Sequence, residues 1–365
     1  MNLTTDLAQR LAHTRDLLTQ WEIDALLLSQ PDNRRWLSGF TGSTGWLLVT
    51  TDDAYIVADF RYWEQARRQA PHFTLHQMVR SDDGFKDMFA LAPGPKIGIE
   101  SDYVTLDNME QYRRVAPNID WHPISNPLQT VRQQKSPYEI ETIRAAAAIT
   151  DAVMAQIPQL VTLGMTERQL AWQLERAMRE EGADALAFDV IVASGPNAAL
   201  AHHQPTDRQL QAGDTLIIDM GAMLNGYASD MTRSFFLGPP SDKFTHIYNI
   251  VKLAHDEAIK GLTPNLSCRD ADALARDVID DAGFADQFGH GLGHNLGTNV
   301  HELPYLSHTA PENQHLTANM VVTIEPGIYI PDWGGIRIED LILINADGST
   351  TSLSQCPHTP HIPLS

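Results

Sequence analysis

The feature that most constrains this chain is a pair of β-forming runs, Leu216–Ala222 (LIIDMGA) and Tyr227–Phe236 (YASDMTRSFF), flanking Asn225-Gly226. Asn-Gly is the strongest short hairpin signal, because both central residues of a type I′ turn need positive φ. A two-residue loop fixes the register: Leu224 opposite Tyr227, and Asp219 opposite Thr232. Asp230 stands two positions from Thr232 and so shares a sheet face with Asp219, as a diagonal neighbour roughly 7 to 8 Å away at the backbone. Two carboxylates on one face of a mostly apolar hairpin have two ways to be stable. Either they lie in water, as most carboxylates do, or they face inward and are compensated by a cation or a hydrogen-bond network.

The segment Phe288–Pro304 (FGHGLGHNLGTNVHELP) favours the inward arrangement, because it carries His290, His294 and His301 among four glycines. Glycine lets a backbone turn sharply and approach a ligand closely, and neutral imidazole is the commonest transition-metal ligand. The spacing of His290 and His294 imitates the helical two-His zinc motif. No Glu follows His290, however, and Gly291, Gly293 and Gly297 oppose a helix, so that reading fails. Glu325 closes the apolar run Met320–Ile324 and precedes Pro326-Gly327, which places it at a strand end. Glu339 lies in Gly335–Ile344 (GIRIEDLILI), where strand alternation puts it on one face with Arg337. That pair is either a surface ion pair or part of an anion-recognising metal site. Asp219, Asp230, His294, Glu325 and Glu339 together form an oxygen-rich set with a charge of about −4, which two divalent ions would balance. Such a set favours Mn²⁺, with Co²⁺ or Zn²⁺ possible.

The ordered segments LIIDMG, SDMTR, GHGLGHNLGTNVHE, TIEPGIY and GIRIED resemble the signature of the pita-bread metallopeptidases, which include aminopeptidase P, prolidase and methionine aminopeptidase. The resemblance implies that Asp219 chelates one metal, that Asp230 and Glu339 bridge both, and that His294 and Glu325 complete the second. It further implies that His202, or its neighbour His203, contacts substrate. His301 would lie near the scissile bond, His290 would line a proline pocket, and Tyr329 and Arg337 would shape that pocket and bind the far end of the substrate. Thr298 departs from the aliphatic residue usual there. Upstream, FTGSTG (Phe40–Gly45) and DFRYWEQA (Asp59–Ala66) resemble the creatinase-type N-terminal domain, in its aminopeptidase P branch. Methionine aminopeptidases lack that domain.

The expectation is therefore an α/β creatinase-like domain over residues 1–125, a linker at 126–136, and an α+β pita-bread catalytic domain over 137–365. The implied activity is hydrolysis of the Xaa-Pro bond at a peptide N-terminus. It would use water activated between two metals, with Glu325 as proton acceptor and His202 and His301 assisting. Prolidase is the alternative. Creatinase-like chemistry and non-enzymatic pita-bread modules both go with lost metal ligands, and none is lost here. The resemblance also implies proline-containing peptides as substrates and a homodimer.

The remaining composition agrees with this reading. A net charge of −20 opposes binding to nucleic acid or to anionic membranes. Only Cys268 and Cys356 occur, without a CxxC pattern. With an N-terminus unlike a signal peptide and no apolar run of membrane-spanning length, this suggests a reducing cytoplasm. Helices are expected at Leu7–Trp21, Tyr103–Val115, Tyr138–Ile157, Glu167–Glu181, Thr245–Leu262 and Arg269–Ala282, from apolar residues at helical spacing. Ser136-Pro137 and Thr166-x-x-Gln169 read as helix starts.

Overall fold

The computed structural model describes residues 3–363. The chain divides into two compact units, Met1–Arg132 and Gln133–Ser365. No helix among the described residues is long and apolar enough to cross a membrane.

The first unit is a three-layer α/β domain. Its six strands, β1 (Ala25–Leu28), β2 (Trp46–Thr50), β3 (Ala54–Ala58), β4 (Thr74–Gln77), β5 (Lys96–Glu100) and β6 (Asp120–Ile124), form one mixed sheet in the order β4-β3-β2-β1-β5-β6. Because side chains alternate across a strand, β1 serves two cores. Leu26 and Leu28 pack with Leu18, Trp36, Leu37 and Ala66, from α1 (Leu3–Gln20), α2 (Pro31–Ser38) and α3 (Trp63–Gln69). Ala25 and Leu27 pack with Met88, Phe89, Tyr112 and Val115, from α4 (Asp82–Phe89) and α5 (Leu106–Val115). A one-turn helix, α6 (Gln129–Arg132), closes the unit inside the stretch read as a linker.

The second unit repeats one theme twice: a pair of helices covers one face of a sheet, and the other face carries polar groups beside smaller apolar clusters. Helix α7 (Pro137–Met154) and helix α9 (Glu167–Glu180) flank the short α8 (Ile157–Leu160), and both long helices begin with full capping boxes, Ser136/Glu139 and Thr166/Gln169. After β7 (Ala185–Leu186), strands β8 (Ile191–Ser194) and β9 (Thr215–Met220) lead into the hairpin. Strand β10 (Ala222–Leu224) turns at Asn225 (φ 49°) and Gly226 (φ 78°) into β11 (Tyr227–Ala228) and β12 (Met231–Leu237). The register is as expected, with Leu224 facing Tyr227 and Asp219 facing Thr232. Leu216 and Ile218 pack with Leu170 and Leu174 of α9, so Asp219 points the opposite way.

The second helix pair, α10 (Asp242–Gly261) and α11 (Cys268–Asp281), covers Val322 and Ile324 of β15 (Val321–Ile324). Thr323 and Glu325 then face the side away from the helices. The His-rich segment is extended rather than helical, with β13 (Gly293–Asn295) and β14 (Glu302–Leu306) paired antiparallel. The run Gly335–Ile344, read as one strand, is two. After β16 (Gly327–Ile330), β17 (Gly334–Arg337) pairs with β16, whereas β18 (Asp340–Ile344) pairs with β15. Glu339 occupies the break between them. Strands β19 (Thr350–Ser352) and β20 (His361–Ile362) complete the unit, β20 running parallel to β12.

Candidate active site

A cavity of about 480 Å³ in the second unit is lined by His202, Asp219, Asp230, His290, His294, His301, Glu325, Arg337 and Glu339. Each expected metal-binding, catalytic or substrate-binding residue lies on it except Tyr329, which touches His290 and Arg337 of its lining, and His203, the alternative to His202. His202 and His203, adjacent in sequence, part company. His202 is exposed on the cavity wall, while His203 is buried with its Nε2 2.9 Å from Glu167.

The five acidic and imidazole groups converge from three strand regions. Asp230, His294 and Glu339 each offer a donor atom within 4.8 Å of the others. His294 Nε2 lies 3.7 Å from Asp230 Oδ2 and 3.5 Å from Glu325 Oε1. Its Nδ1 is 3.2 Å from the Asn295 carbonyl, so in the neutral ring Nδ1–H donates there and the Nε2 lone pair faces the carboxylates. The acidic groups are only half used by the protein. Glu339 Oε2 accepts from Thr232 Oγ1 at 2.6 Å, and Asp219 Oδ2 accepts from Arg337 Nη2 at 2.7 Å. Asp219 Oδ1, Asp230 Oδ1 and Glu339 Oε1 are buried without any hydrogen-bond partner. An orphaned buried carboxylate oxygen is costly, and three around one point fit cations that would accept their lone pairs. The donor set is oxygen-rich with one imidazole, which fits divalent ions.

Titration behaviour follows from the crowding. Burial and the neighbouring Glu339 and Asp219 push the Asp230 carboxyl well above its usual range, and burial with Glu325 and Asp219 does the same to Glu339. Burial raises Glu325 to about 8. Burial lowers His294 to about 3 and His290 to about 4, and His301 is lowered by burial and by His202. All three rings are therefore neutral near pH 7.

One wall of the cavity is rigidly framed. His290 Nδ1 lies 2.8 Å from the Gly291 carbonyl and Nε2 lies 2.9 Å from the Tyr329 hydroxyl, so this ring donates from Nδ1 and accepts at Nε2. Phe288 packs edge-on behind it at 5.1 Å between centroids. Arg337 donates to Thr232 Oγ1, the Ala201 carbonyl, the Tyr329 hydroxyl and Asp219. Burial alone would favour loss of its charge, but Tyr329, Asp219, Glu325 and Glu339 hold its pKa well above the ordinary value.

Two participants were not singled out from the sequence. Thr232 bridges Arg337 and Glu339, and its position opposite Asp219 in the register was the available signal. Glu167, at the start of α9, is fully buried. It accepts from the backbone and hydroxyl of Ser194, from Asn197 Nδ2, and from the backbone and hydroxyl of Thr206, and it contacts His203. It thereby ties down both ends of the segment that carries His202. Only its place in a capping first turn marked it, which is equally the place of an ordinary helix-start acid.

Comparison with known proteins agrees with this geometry. Residues 141–346 match the model of metallopeptidase family M24, and residues 10–134 match that of the creatinase/prolidase N-terminal domain. The chain is 36% identical over 329 residues to a Xaa-Pro dipeptidase of Pyrococcus horikoshii, covering 90% of this chain and 92% of the relative. A solved Xaa-Pro dipeptidase from Bacillus anthracis superposes with a TM-score of 0.93 at 35% identity, covering 97% of this chain and 99% of the other. An X-Pro aminopeptidase from Thermotoga maritima does so with a TM-score of 0.87 at 32% identity, covering 93% and 97%. With its orphaned acidic oxygens and inward-facing imidazole set in this two-unit fold, the chain belongs to metallopeptidase family M24.

Proposed function

We propose that this chain is an Xaa-Pro aminopeptidase, hydrolysing the bond between the first residue of a peptide and a proline in second place. The observation that carries the reading is the convergence of three unpartnered buried carboxylate oxygens and the His294 Nε2 lone pair on one cavity. Asp219, Asp230, His294, Glu325 and Glu339 would hold two divalent ions, with Asp230 and Glu339 shared between them and manganese the best match to the donor set. Bound there, the ions supply Lewis acidity and bring the pKa of a water towards neutrality. The protein's own groups do the rest. Glu325 accepts the proton of the attacking water on a carboxylate oxygen. His202 and His301, facing the cavity, stabilise the developing oxyanion and relay the proton taken up by Glu325 to the leaving nitrogen. A proline nitrogen in amide linkage has no N–H to be recognised, so its ring shape must be read. His290, held between Phe288 and Tyr329, supplies a fixed apolar face for that purpose. Arg337 keeps Tyr329 and Asp219 in place.

A second reading, Xaa-Pro dipeptidase, is favoured by the names of two of the relatives above. Dipeptide selection calls for a cation to fix the free carboxylate that follows proline. Among the described residues, Arg337 is the one guanidinium lining the cavity, and it is already paired with Asp219. This supports the aminopeptidase reading. With Mn²⁺ supplied, kcat/KM for Ala-Pro-Ala is expected to exceed that for Ala-Pro by about tenfold or more, a difference of about 1.4 kcal/mol in transition-state binding. Exclusive cleavage of Ala-Pro would assign the chain to the dipeptidases instead.

Glu167 gives a separate prediction. Burial would raise its pKa, but the hydrogen bonds from Thr206, His203 and Ser194 outweigh burial and hold it down to about 2. A carboxylate depressed on folding contributes stability that is present above its unfolded pKa and is lost as pH falls through the folded one. The window is therefore about pH 4.5 down to 2, and the contribution at stake is on the order of 3 kcal/mol. Acid unfolding followed by circular dichroism is expected to be steeper in the wild type than in Glu167→Gln over that range. The variant is also expected to lose roughly tenfold in kcat/KM at neutral pH, because the segment bearing His202 loosens. Identical acid profiles would contradict the burial of an ionised Glu167.

A further inference from the structure

Behind the catalytic strands lies a second convergence of ligand-type side chains. Thr232 and Glu339 face the cavity, while their chain neighbours Arg233 and Asp340 face the opposite side. There Asp340 meets two imidazoles far apart in sequence, His255 of α10 and His358 of the C-terminal segment. Their Nε2 atoms lie 3.1 and 2.8 Å from the same oxygen, Asp340 Oδ2, and the three donor atoms all lie within 4.8 Å of one another. His255 and Asp340 are buried, with side-chain exposures of 1% and 6%, and His358 at 19% is the side nearest solvent.

Two observations set this cluster apart from an ordinary ion-pair network. First, Arg233 Nη2 takes the other carboxylate oxygen, Oδ1, at 2.7 Å, which orients the carboxylate and leaves Oδ2 to face the rings. Second, His255 Nε2 makes no hydrogen bond although it is fully buried. Its distance to Oδ2 is short, yet the direction is wrong for donation. On the far side of the ring, Nδ1 is 3.3 Å from Asp256 Oδ1. A carboxylate there can accept from Nδ1–H while Nε2 serves as the ligating nitrogen, the arrangement that supports metal-ligating histidines. Two electron-rich atoms this close, His255 Nε2 and Asp340 Oδ2, need a cation between them, either a proton or a metal ion.

We infer that His255, His358 and Asp340 form a third metal site, distinct from the dinuclear centre and suited to a borderline-soft divalent ion such as Zn²⁺. Two imidazoles and one carboxylate oxygen are a normal zinc set, with a fourth position left for water. Ligand bonds of about 2.0–2.2 Å require each ring nitrogen to draw back from Asp340 Oδ2 by only a few tenths of an ångström. An ion here would join α10, β18 and the C-terminal segment, so its role is to staple the fold rather than to act on substrate.

The test is the position and number of bound zinc ions, which does not depend on peptidase activity. Crystals of the manganese-loaded full chain soaked with Zn²⁺ are expected to give an anomalous peak at the zinc edge between His255, His358 and Asp340. In solution, elemental analysis after dialysis against Zn²⁺ is expected to find one zinc ion fewer per chain in His358→Gln, and likewise in His255→Gln, with circular dichroism matching the wild type. The partly exposed His358 makes the first variant the safer one should His255→Gln fail to fold. Zinc confined to the dinuclear centre, or the same zinc content in wild type and His358→Gln, overturns the assignment. A proton alone would then bridge His255 and Asp340.

Discussion

Asp230→Asn is expected to fold normally and to lose activity by roughly a thousandfold or more, equivalent to about 4 kcal/mol of transition-state stabilisation, at any concentration of added metal. Asp230 is the member of the cluster whose environment is least balanced by the protein: Oδ1 has no partner, and Oδ2 has only the distant His294 Nε2. Its hydrogen-bonding capacity is unspent, and a shared ligand between two cations would spend it. Amide for carboxylate keeps the volume and removes the charge, so the substitution separates the two roles a buried acid can have. If Asp230 served the fold, the variant would melt lower with and without metal. If it serves the cations, the variant in chelator melts higher than wild type, because Glu339 and Asp219 no longer repel it. Activity is nevertheless gone. Calorimetry in EDTA and in Mn²⁺, beside a peptide assay, reads both effects. Retained activity would remove the shared-ligand role.

Local physics made much of this arrangement legible before any coordinates. The Asn225-Gly226 turn set the hairpin register without a slip, and from it the shared face of Asp219 and Asp230. Ser136 and Thr166 marked the starts of α7 and α9, because their side chains cap the first-turn amides. What escaped depended on partners distant in sequence. Strand β6 contains Pro123, which weakens a local strand signal, and it forms because β6 is the edge strand of its sheet, where a missing N–H is tolerated. Helix α4 is only eight residues long with a Gly in its first turn, so the Ser81 cap, the first-turn Asp82 and Asp83 and the spacing of Phe85, Met88 and Phe89 are short-range signals for a single short helix. The β-type pattern of Gly335–Ile344 concealed a change of strand partner at Ile338-Glu339, and Glu339, which lines the cavity, occupies that break. No local rule distinguishes His202 from His203. Glu167, thirty-odd positions upstream, decides between them by burying the second ring and leaving the first exposed.

Removing the metal ions is expected to make stability fall as pH rises, the reverse of the Glu167 effect. Without cations, burial raises the Asp230, Glu325 and Glu339 carboxyls, helped by repulsion from Glu339 and Asp219 on Asp230, from Glu325 and Asp219 on Glu339 and from Asp219 on Glu325, and it takes Glu325 to about 8. A group whose pKa is raised on folding contributes stability that is complete below its unfolded pKa and is lost as pH climbs through the folded value. For Glu325 the window runs from about pH 4.5 to 8. The metal-free chain should therefore melt lower at pH 8 than at pH 5, by roughly 5 °C or more, since about 1 kcal/mol moves the midpoint of a large domain by a few degrees. Ions reverse the sign of the local field, so the loaded chain should show little of this slope. Binding must also expel protons, because ligands have to be ionised. Calorimetric titration of Mn²⁺ at pH 7 in buffers of different ionisation enthalpy is expected to report at least about one proton released per chain, with affinity rising towards pH 8. Glu325→Gln removes the group whose raised pKa spans that window, so its metal-free melting temperature should depend less on pH than that of the wild type. A metal-free wild type whose melting temperature is flat from pH 5 to 8 would mean that these carboxylates do not share one buried space.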